Sequence, residues 1–254
     1  MKRANYHTHT VRCGHAVGAD EEYVKAAIAM GMEVLGFADH GPQVYEDGFV
    51  STIRMQMSEL PEYVESLLQL REKYKRQIDI KIGLEYEYYP ELFDKLRDEL
   101  GKYPVDYLIM GQHFVEPERL GKHVVDPFSE EERLSAYVDR VLEGLRTGAF
   151  TYLAHPDMVH FVGDANAYLY HMRRLCEECK NMGIPLEVNR QGMVRKRNYP
   201  NEVFWKLAAD VGNHVIFGYD AHTPDALTDE ETYLKGVKWA NDLGNFVDEM
   251  YRIG

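Results

Sequence analysis

Basic residues are scarce in this 254-residue sequence: 29 Lys+Arg stand against 42 Asp+Glu, a formal net charge of −13. A nucleic-acid backbone needs a basic footprint, so no nucleic acid is expected as a partner. The same balance argues against an anionic membrane surface. Cysteine is scarcer still. Cys13, Cys176 and Cys179 are an odd number of thiols in a chain large enough to need no staples, which excludes a disulfide scaffold and favours a reducing compartment. No stretch approaches the roughly 18 apolar residues of a membrane-spanning helix. The N-terminal Met1–His7 has no apolar run behind its charges, so it does not read as a secretory signal, and the expected setting is the cytoplasm. Gly/Ser linkers and low-complexity segments are missing, and one domain over residues 1–254 is expected. Neither G-x-G-x-x-G nor G-x-x-x-x-G-K-[ST] occurs, which removes the Gly-rich nucleotide-binding turns.

What is present alternates. Short apolar, β-branched runs lie at Arg3–His7, Glu33–Ala38, Asp79–Glu85, Val105–Gln112, Thr151–His155, Pro185–Asn189 and Asn213–Gly218. They read as strands buried on both faces. Helical patterns separate them: Asp20–Met30 before Gly31, Pro61–Lys75, the Leu92/Leu96/Leu100 stripe closed by Gly101, Asp164–Met182 before Gly183, and Asn201–Val211 before Gly212. Ser129–Glu132 and Thr228–Glu231 read as capping boxes, the first opening a helix to Thr147, the second opening the C-terminal helices. Cys176 and Cys179 have redox spacing but sit within an amphipathic helical pattern, so their expected role is structural. Seven strand–helix units in unbroken alternation predict an α/β fold with a parallel sheet, a (β/α)7 TIM-like barrel, with its chemistry at the C-terminal strand ends.

The polar residues fall at those ends. Strand 1 ends in His7-Thr8-His9 with His15 in the following loop; strand 2 ends in Asp39-His40. Strand 3 ends in Glu85, then Glu87; strand 4 in His113; strand 5 in His155-Pro156-Asp157; strand 6 in Asn189-Arg190; strand 7 in Asp220-Ala221-His222. Seven of the eleven histidines occupy these positions; the others are His123, His160, His171 and His214. Imidazole and carboxylate are ligands for Zn, Mn or Fe. Period-two alternation puts His7 and His9 on the same side of their strand. Seven histidines and two carboxylates exceed the needs of one tetrahedral ion and suffice for two or three. Such a cluster can hold a hydroxide for in-line displacement at phosphorus. Cys13 reads as a loop filler.

These residues resemble the PHP phosphoesterase family (polymerase and histidinol phosphatase), and most of all its histidinol-phosphate phosphatases. The likeness rests on His7-Thr8-His9-Thr10…Cys13-Gly14-His15-Ala16, Gly36-Phe37-Ala38-Asp39-His40 and Gly83-Leu84-Glu85-Tyr86-Glu87. It continues through Gly111-Gln112-His113-Phe114, Ala154-His155-Pro156-Asp157 and Gly218-Tyr219-Asp220-Ala221-His222. The resemblance implies a distorted seven-stranded barrel and three divalent transition-metal ions. One would take His7, His9, Glu85 and Asp220; a second would share Glu85 and add His113 and His155; a third would take His15, His40 and His222. It implies a metal-dependent phosphomonoesterase converting L-histidinol phosphate to L-histidinol and phosphate through a metal-bridging hydroxide. The alternative is another small phosphorylated metabolite or a nucleotide. Two stretches depart from the family pattern. After strand 6 the family's histidinol phosphatases have a segment like Asn-Thr-x-Gly-Leu-Arg; here Asn189-Arg190-Gln191-Gly192-Met193-Val194-Arg195 displaces the Arg by one residue. Met158-Val159-His160-Phe161 stands where relatives often carry a basic residue.

An alkoxide leaves poorly, so Asp220 or His222 is expected to handle its proton. Arg190, Arg195, Lys196 and Arg197 form a local cluster of four cations, with Arg195 and then Arg190 the candidate phosphate ligands. Tyr45, Phe49, Tyr88 and Tyr89 are candidates for an organic pocket.

Overall fold

The computed structural model describes residues 3–45 and 47–253. Met1 and Lys2, part of the stretch expected not to be a signal, and the terminal Gly254 lie outside them. Seven strands run in sequence order in one parallel sheet: β1 Ala4–Asn5, β2 Val34–His40, β3 Asp79–Tyr86, β4 Tyr107–Met110, β5 Tyr152–Leu153, β6 Leu186–Asn189 and β7 Val215–Gly218. A parallel bridge between Thr8 and Ala221, with His9 N–H donating to the Ala221 carbonyl at 2.9 Å, joins the extensions of the first and last strands. The sheet thereby closes into the expected barrel, and its closing seam runs between His7–His9 and Asp220–His222.

Alternation along the strands sorts the two faces. Leu35, Phe37, Leu84, Leu108, Leu153, Val188 and Phe217 face outward into the main apolar cluster beneath the helices. Burying such side chains stabilises by about 1.5–3 kcal/mol each. Tyr6, Val34, Ala38, Tyr107, Ile109, Tyr152, Ala154 and Ile216 form a second cluster on the alternate, inward positions. Most of these precede the polar residues on the same strands, so the inner cluster is an apolar floor below a polar mouth. The C-terminal tail seals the other side: Ala4 N–H donates to the Glu249 carbonyl at 2.8 Å, and Tyr251 and Ile253 pack on the inner cluster.

The helices are α1 Asp20–Ala29, α2 Leu60–Tyr74, α3 Pro90–Leu100, α4 Glu131–Arg146, α5 Ala165–Met182, α6 Arg190–Val194, α7 Glu202–Val211 and α8 Glu230–Asp242. Asp164 and Asn201 cap α5 and α7 through side-chain oxygens, and Gly183 and Gly212 end them in left-handed conformation. Both expected capping boxes are corrected. Ser129 N–H donates to the Glu130 carboxylate, and α4 begins with Glu130 as its cap, without a side-chain bond. Thr228 closes a short 3-10 turn through the Asp225 carbonyl, leaving Asp229 to cap α8 by accepting from Thr232 N–H. One described α-helix follows that cap, not several. The five-residue α6 was not expected; Asn189 opens it by accepting from Gly192 N–H at 3.2 Å. Cys176 and Cys179 are buried in α5, and burial pushes the Cys176 thiol up to about 12, as suits a structural pair. No helix among the described residues is long and apolar enough to cross a membrane.

Candidate metal centre

All nine strand-end candidates converge at the barrel mouth. Ring centroids lie 4.0 Å apart for His9–His222, 4.5 Å for His9–His40, 4.8 Å for His15–His222, 5.0 Å for His113–His155 and 5.7 Å for His7–His155. Glu85 sits among them on β3, with Oε1 at 2.9 Å from His155 Nε2 and 3.6 Å from His113 Nε2. Its room comes from Gly111, where an added Cβ would lie 1.8 Å from Glu85 Oε1. Asp220 takes a backbone φ of +49°, a conformation unusual for a residue with a side chain.

Four atoms test whether a metal fits. Among the described residues, His7 Nε2, His9 Nε2, Glu85 Oε2 and Asp220 Oδ1 are buried without a hydrogen bond; the two oxygens have only ion-pair contacts with histidines, His40 Nδ1 at 2.9 Å from Glu85 Oε2 and His222 Nδ1 at 3.2 Å from Asp220 Oδ1. The nitrogen–oxygen separations among the four atoms are 3.2 to 3.8 Å. Each unsatisfied buried polar atom costs about 1–3 kcal/mol. Ligand atoms about 2.1 Å from a tetrahedral zinc stand roughly 3.4 Å from one another. Spacing, burial and donor type therefore fit a divalent transition-metal ion.

The other nitrogens explain why these point inward. His7 Nδ1 lies 3.0 Å from both oxygens of Glu187, His9 Nδ1 3.3 Å from Asp39 and His113 Nδ1 3.0 Å from Glu87. His15 Nδ1 meets the Cys13 carbonyl at 2.9 Å and His222 Nδ1 the Asp220 carbonyl at 3.0 Å. A partner on Nδ1 sets the tautomer and leaves the Nε2 lone pair for a metal. Cys13 is buried and its thiol donates to the Thr10 carbonyl, in keeping with a loop-filling role.

Charge is balanced inside the cluster. Burial alone would lower His7; Glu187, Asp220 and Glu85 outweigh it and raise the imidazole to about 10. Burial alone would raise Glu85 and Asp220; His40, His113 and His7 hold Glu85 well below the usual carboxylate range, and His7, His222 and His9 do the same for Asp220. Protons here stand where a cation binds, and metal uptake exchanges one for the other.

A cavity of about 200 Å³ opens on the cluster. Arg195 and Arg197 line it, exposed and without an ion pair among the described residues. Arg190 does not: its guanidinium pairs with Asp229 at 2.5 Å, tying α6 to the cap of α8. The apolar wall also differs from expectation. Ile53, Val125, Met158 and Tyr199 line the cavity, whereas Tyr45, Tyr88 and Tyr89 are buried and Phe49 is exposed outside it.

A family model described as PHP domain matches residues 5–191. The chain belongs to the PHP domain family. A Deinococcus radiodurans protein named "probable histidinol-phosphatase" is 28% identical over 252 residues, covering 94% of this chain and 92% of that one. A histidinol-phosphatase from Bacillus subtilis is 23% identical, covering 87% and 94%. The crystal structure of a histidinol phosphate phosphatase from Lactococcus lactis, complexed with zinc, L-histidinol and phosphate, superposes with TM-score 0.74 at 18% identity. It covers 96% of this chain and 95% of that one. At that identity the likeness concerns the fold, which is the PHP barrel.

Beyond the PHP motif positions, two buried groups matter that the sequence pattern did not single out. Glu187 is fully buried in β6, and Gly218 makes its space: a Cβ there would lie 1.4 Å from Glu187 Oε1. The signal was available, since a carboxylate two residues before Asn189 shares its inward face. Arg54 is also buried, bridging Glu87 at 2.8 Å and Glu118 at 2.9 Å, and so holds the carboxylate that orients His113. It lies in a loop, where no periodicity marks it.

Proposed function

We propose that this PHP chain, as one barrel domain over residues 1–254, is a metal-dependent phosphomonoesterase that hydrolyses L-histidinol phosphate to L-histidinol and phosphate. The observation that carries the reading is the convergence of four buried donor atoms that lack hydrogen bonds, beside a cavity lined by two guanidiniums with no ion pair among the described residues. Three divalent transition-metal ions, Zn, Mn or Fe, are assigned to His7, His9, Glu85 and Asp220; to Glu85, His113 and His155; and to His15, His40 and His222. When bound, they supply Lewis-acid charge for phosphate oxygens and make water nucleophilic at neutral pH.

The protein's own groups do the rest. Arg195 binds phosphate oxygens, in the bidentate geometry a guanidinium offers. Glu187, Asp39 and Glu87 keep His7, His9 and His113 aimed inward. Asn189 and Gln191 each donate to Asp220 Oδ2 at 3.1 Å, which leaves Oδ1 facing the cluster. Of the two groups expected to handle protons, His222 commits its Nδ1–H to a carbonyl and offers only a lone pair from Nε2. Asp220 is held as an anion, so of the two it is the group that can accept a hydrogen bond from the attacking water and orient it, while its low proton affinity opposes full proton transfer. A small phosphorylated metabolite, not nucleic acid or membrane, is the partner, and the cytoplasm the location; the charge of −13 and three free thiols support both.

The test is a panel. Protein loaded with Mn²⁺ or Zn²⁺ is offered L-histidinol phosphate, other phosphomonoesters, a dinucleotide and single-stranded DNA. The highest kcat/KM is expected for L-histidinol phosphate; turnover of DNA alone overturns the reading.

A further inference from the structure

His123 is a cavity histidine outside the metal cluster. It sits in the segment after β4, pinned on several sides. Its backbone forms an antiparallel bridge with Phe114, Val124 N–H donates to the His113 carbonyl at 2.8 Å, and His160 N–H donates to the Val124 carbonyl at 2.8 Å. The ring stands edge-on between His113, at 5.5 Å, and Phe114, at 5.1 Å. Val125 N–H donates to His123 Nδ1 at 3.0 Å. A nitrogen that accepts carries a lone pair, so the ring is neutral and its proton is on Nε2. His123 lines the cavity beside Ile53, Val125, Met158 and Tyr199, and among the described residues nothing hydrogen-bonds to Nε2.

The other histidines lining this cavity face carboxylates or one another. The carboxylates in the lining are committed too: Glu85 to histidines, Glu87 to His113 and Arg54, Asp220 to His9 and His222. His123 thus offers a neutral, rigidly placed donor on a wall that also carries the apolar Ile53, Val125, Met158 and Tyr199. Its complement is a neutral heteroaromatic nitrogen, an acceptor on a flat apolar ring.

We propose that His123 is the specificity residue for the leaving alcohol, donating from Nε2–H to the unprotonated ring nitrogen of an imidazole-bearing phosphomonoester. This rests on the reading of L-histidinol phosphate as substrate. A donor held in place without its acceptor is costly, so the site rejects a ring that lacks the nitrogen.

The experiment compares wild type, His123→Asn and His123→Gln on L-histidinol phosphate, on L-phenylalaninol phosphate and on p-nitrophenyl phosphate. Asparagine keeps an acceptor for Val125 N–H and loses the distal donor; glutamine retains a donor near the Nε2 position. His123→Asn is expected to lower kcat/KM on L-histidinol phosphate about 10- to 100-fold, mostly through KM. Rates on the other two substrates should stay within about 2-fold, and His123→Gln should recover part of the loss. Elemental analysis should find the same metal content in all three proteins. An unchanged ratio of L-histidinol phosphate to L-phenylalaninol phosphate in His123→Asn overturns the proposal. So does an equal fall on all three substrates, which would mark a packing role against His113. If His123→Asn does not fold, His123→Phe replaces it under the same criteria. Failure of the substrate reading itself shows in the wild type alone, as no turnover of L-histidinol phosphate beside hydrolysis of the others; that outcome removes both.

Discussion

Around one cavity the chain uses two kinds of construction. In the strand-end cluster, His7, His9, Glu85, His113, His155, Asp220 and His222 are buried, with His40 partly so and His15 exposed. The imidazoles of His7, His9 and His113 are each held from behind by a carboxylate on another part of the barrel. In the segment after β6, Arg195 and Arg197 are exposed, with no ion-pair partner among the described residues. Metal coordination tolerates errors of only about 0.2 Å, so its ligands must be placed before the ion arrives. A guanidinium gripping phosphate can order itself on binding, at a cost of about 0.5–1.5 kcal/mol per side chain. Rigidity is concentrated where geometry is strict.

The largest effect should come from the rigid side. Chelation, or His9→Ala, is expected to lower kcat by about 1,000-fold or more. Mn²⁺ or Zn²⁺ should restore the chelated protein but not the variant; full activity in EDTA would break the comparison at its root. Glu187→Ala comes next. Freeing the His7 ring should cost about 10- to 100-fold in metal affinity or activity, read by elemental analysis at limiting metal beside a rate assay. Glu187→Gln should lose less, and an unaffected Glu187→Ala would mean His7 needs no support.

On the flexible side, Arg195→Ala should raise KM about 10-fold with metal content unchanged, and Arg195→Lys should fall between. A loss of metal there would show that the two constructions are not separate. Titration gives a subtler contrast. His7 is raised from 6.5 to about 10 in the metal-free fold, so the stability it contributes is complete below pH 6.5 and is lost as pH rises toward 10. Melting of the chelated protein should therefore drop across that window, while the metal-loaded protein, with the proton displaced, stays flat. Smallest of all, Arg190→Ala should cost up to about 1 kcal/mol of stability, measured by denaturant melts, and leave KM for phosphate ester unchanged.

The barrel was legible because short, near-continuous apolar runs alternated with 3.6-period stripes, and a chain alternating this way has few places to put a parallel sheet. Five of the seven strands fall within the expected segments; β2 runs two residues past Ala38 to His40, and β3 one past Glu85 to Tyr86. The cluster was legible because strand ends repeat one chemistry. Capping was less so: Ser129 and Thr228 match the box as strings, but Glu130 and Asp229 take the cap positions once neighbouring turns are formed. Arg190 failed for a related reason. Adjacent arginines on a short helix point in different directions, and α8 supplied Arg190 with an aspartate.

The sequence by itself determined the element order, the strand ends that carry histidine and carboxylate, and the ligand types that suit a transition metal. These depend on local periodicity and on side-chain chemistry, which are present in the string. The tertiary structure alone decided that Glu187 stands behind His7, that Gly111 and Gly218 leave room for carboxylates, and that Arg195 rather than Arg190 faces the cavity. It also decided that His123 lines the cavity with its Nδ1 accepting from Val125 N–H. Each of these is a contact between residues far apart in the chain, set by barrel closure and the register of neighbouring strands, and no local window contains it.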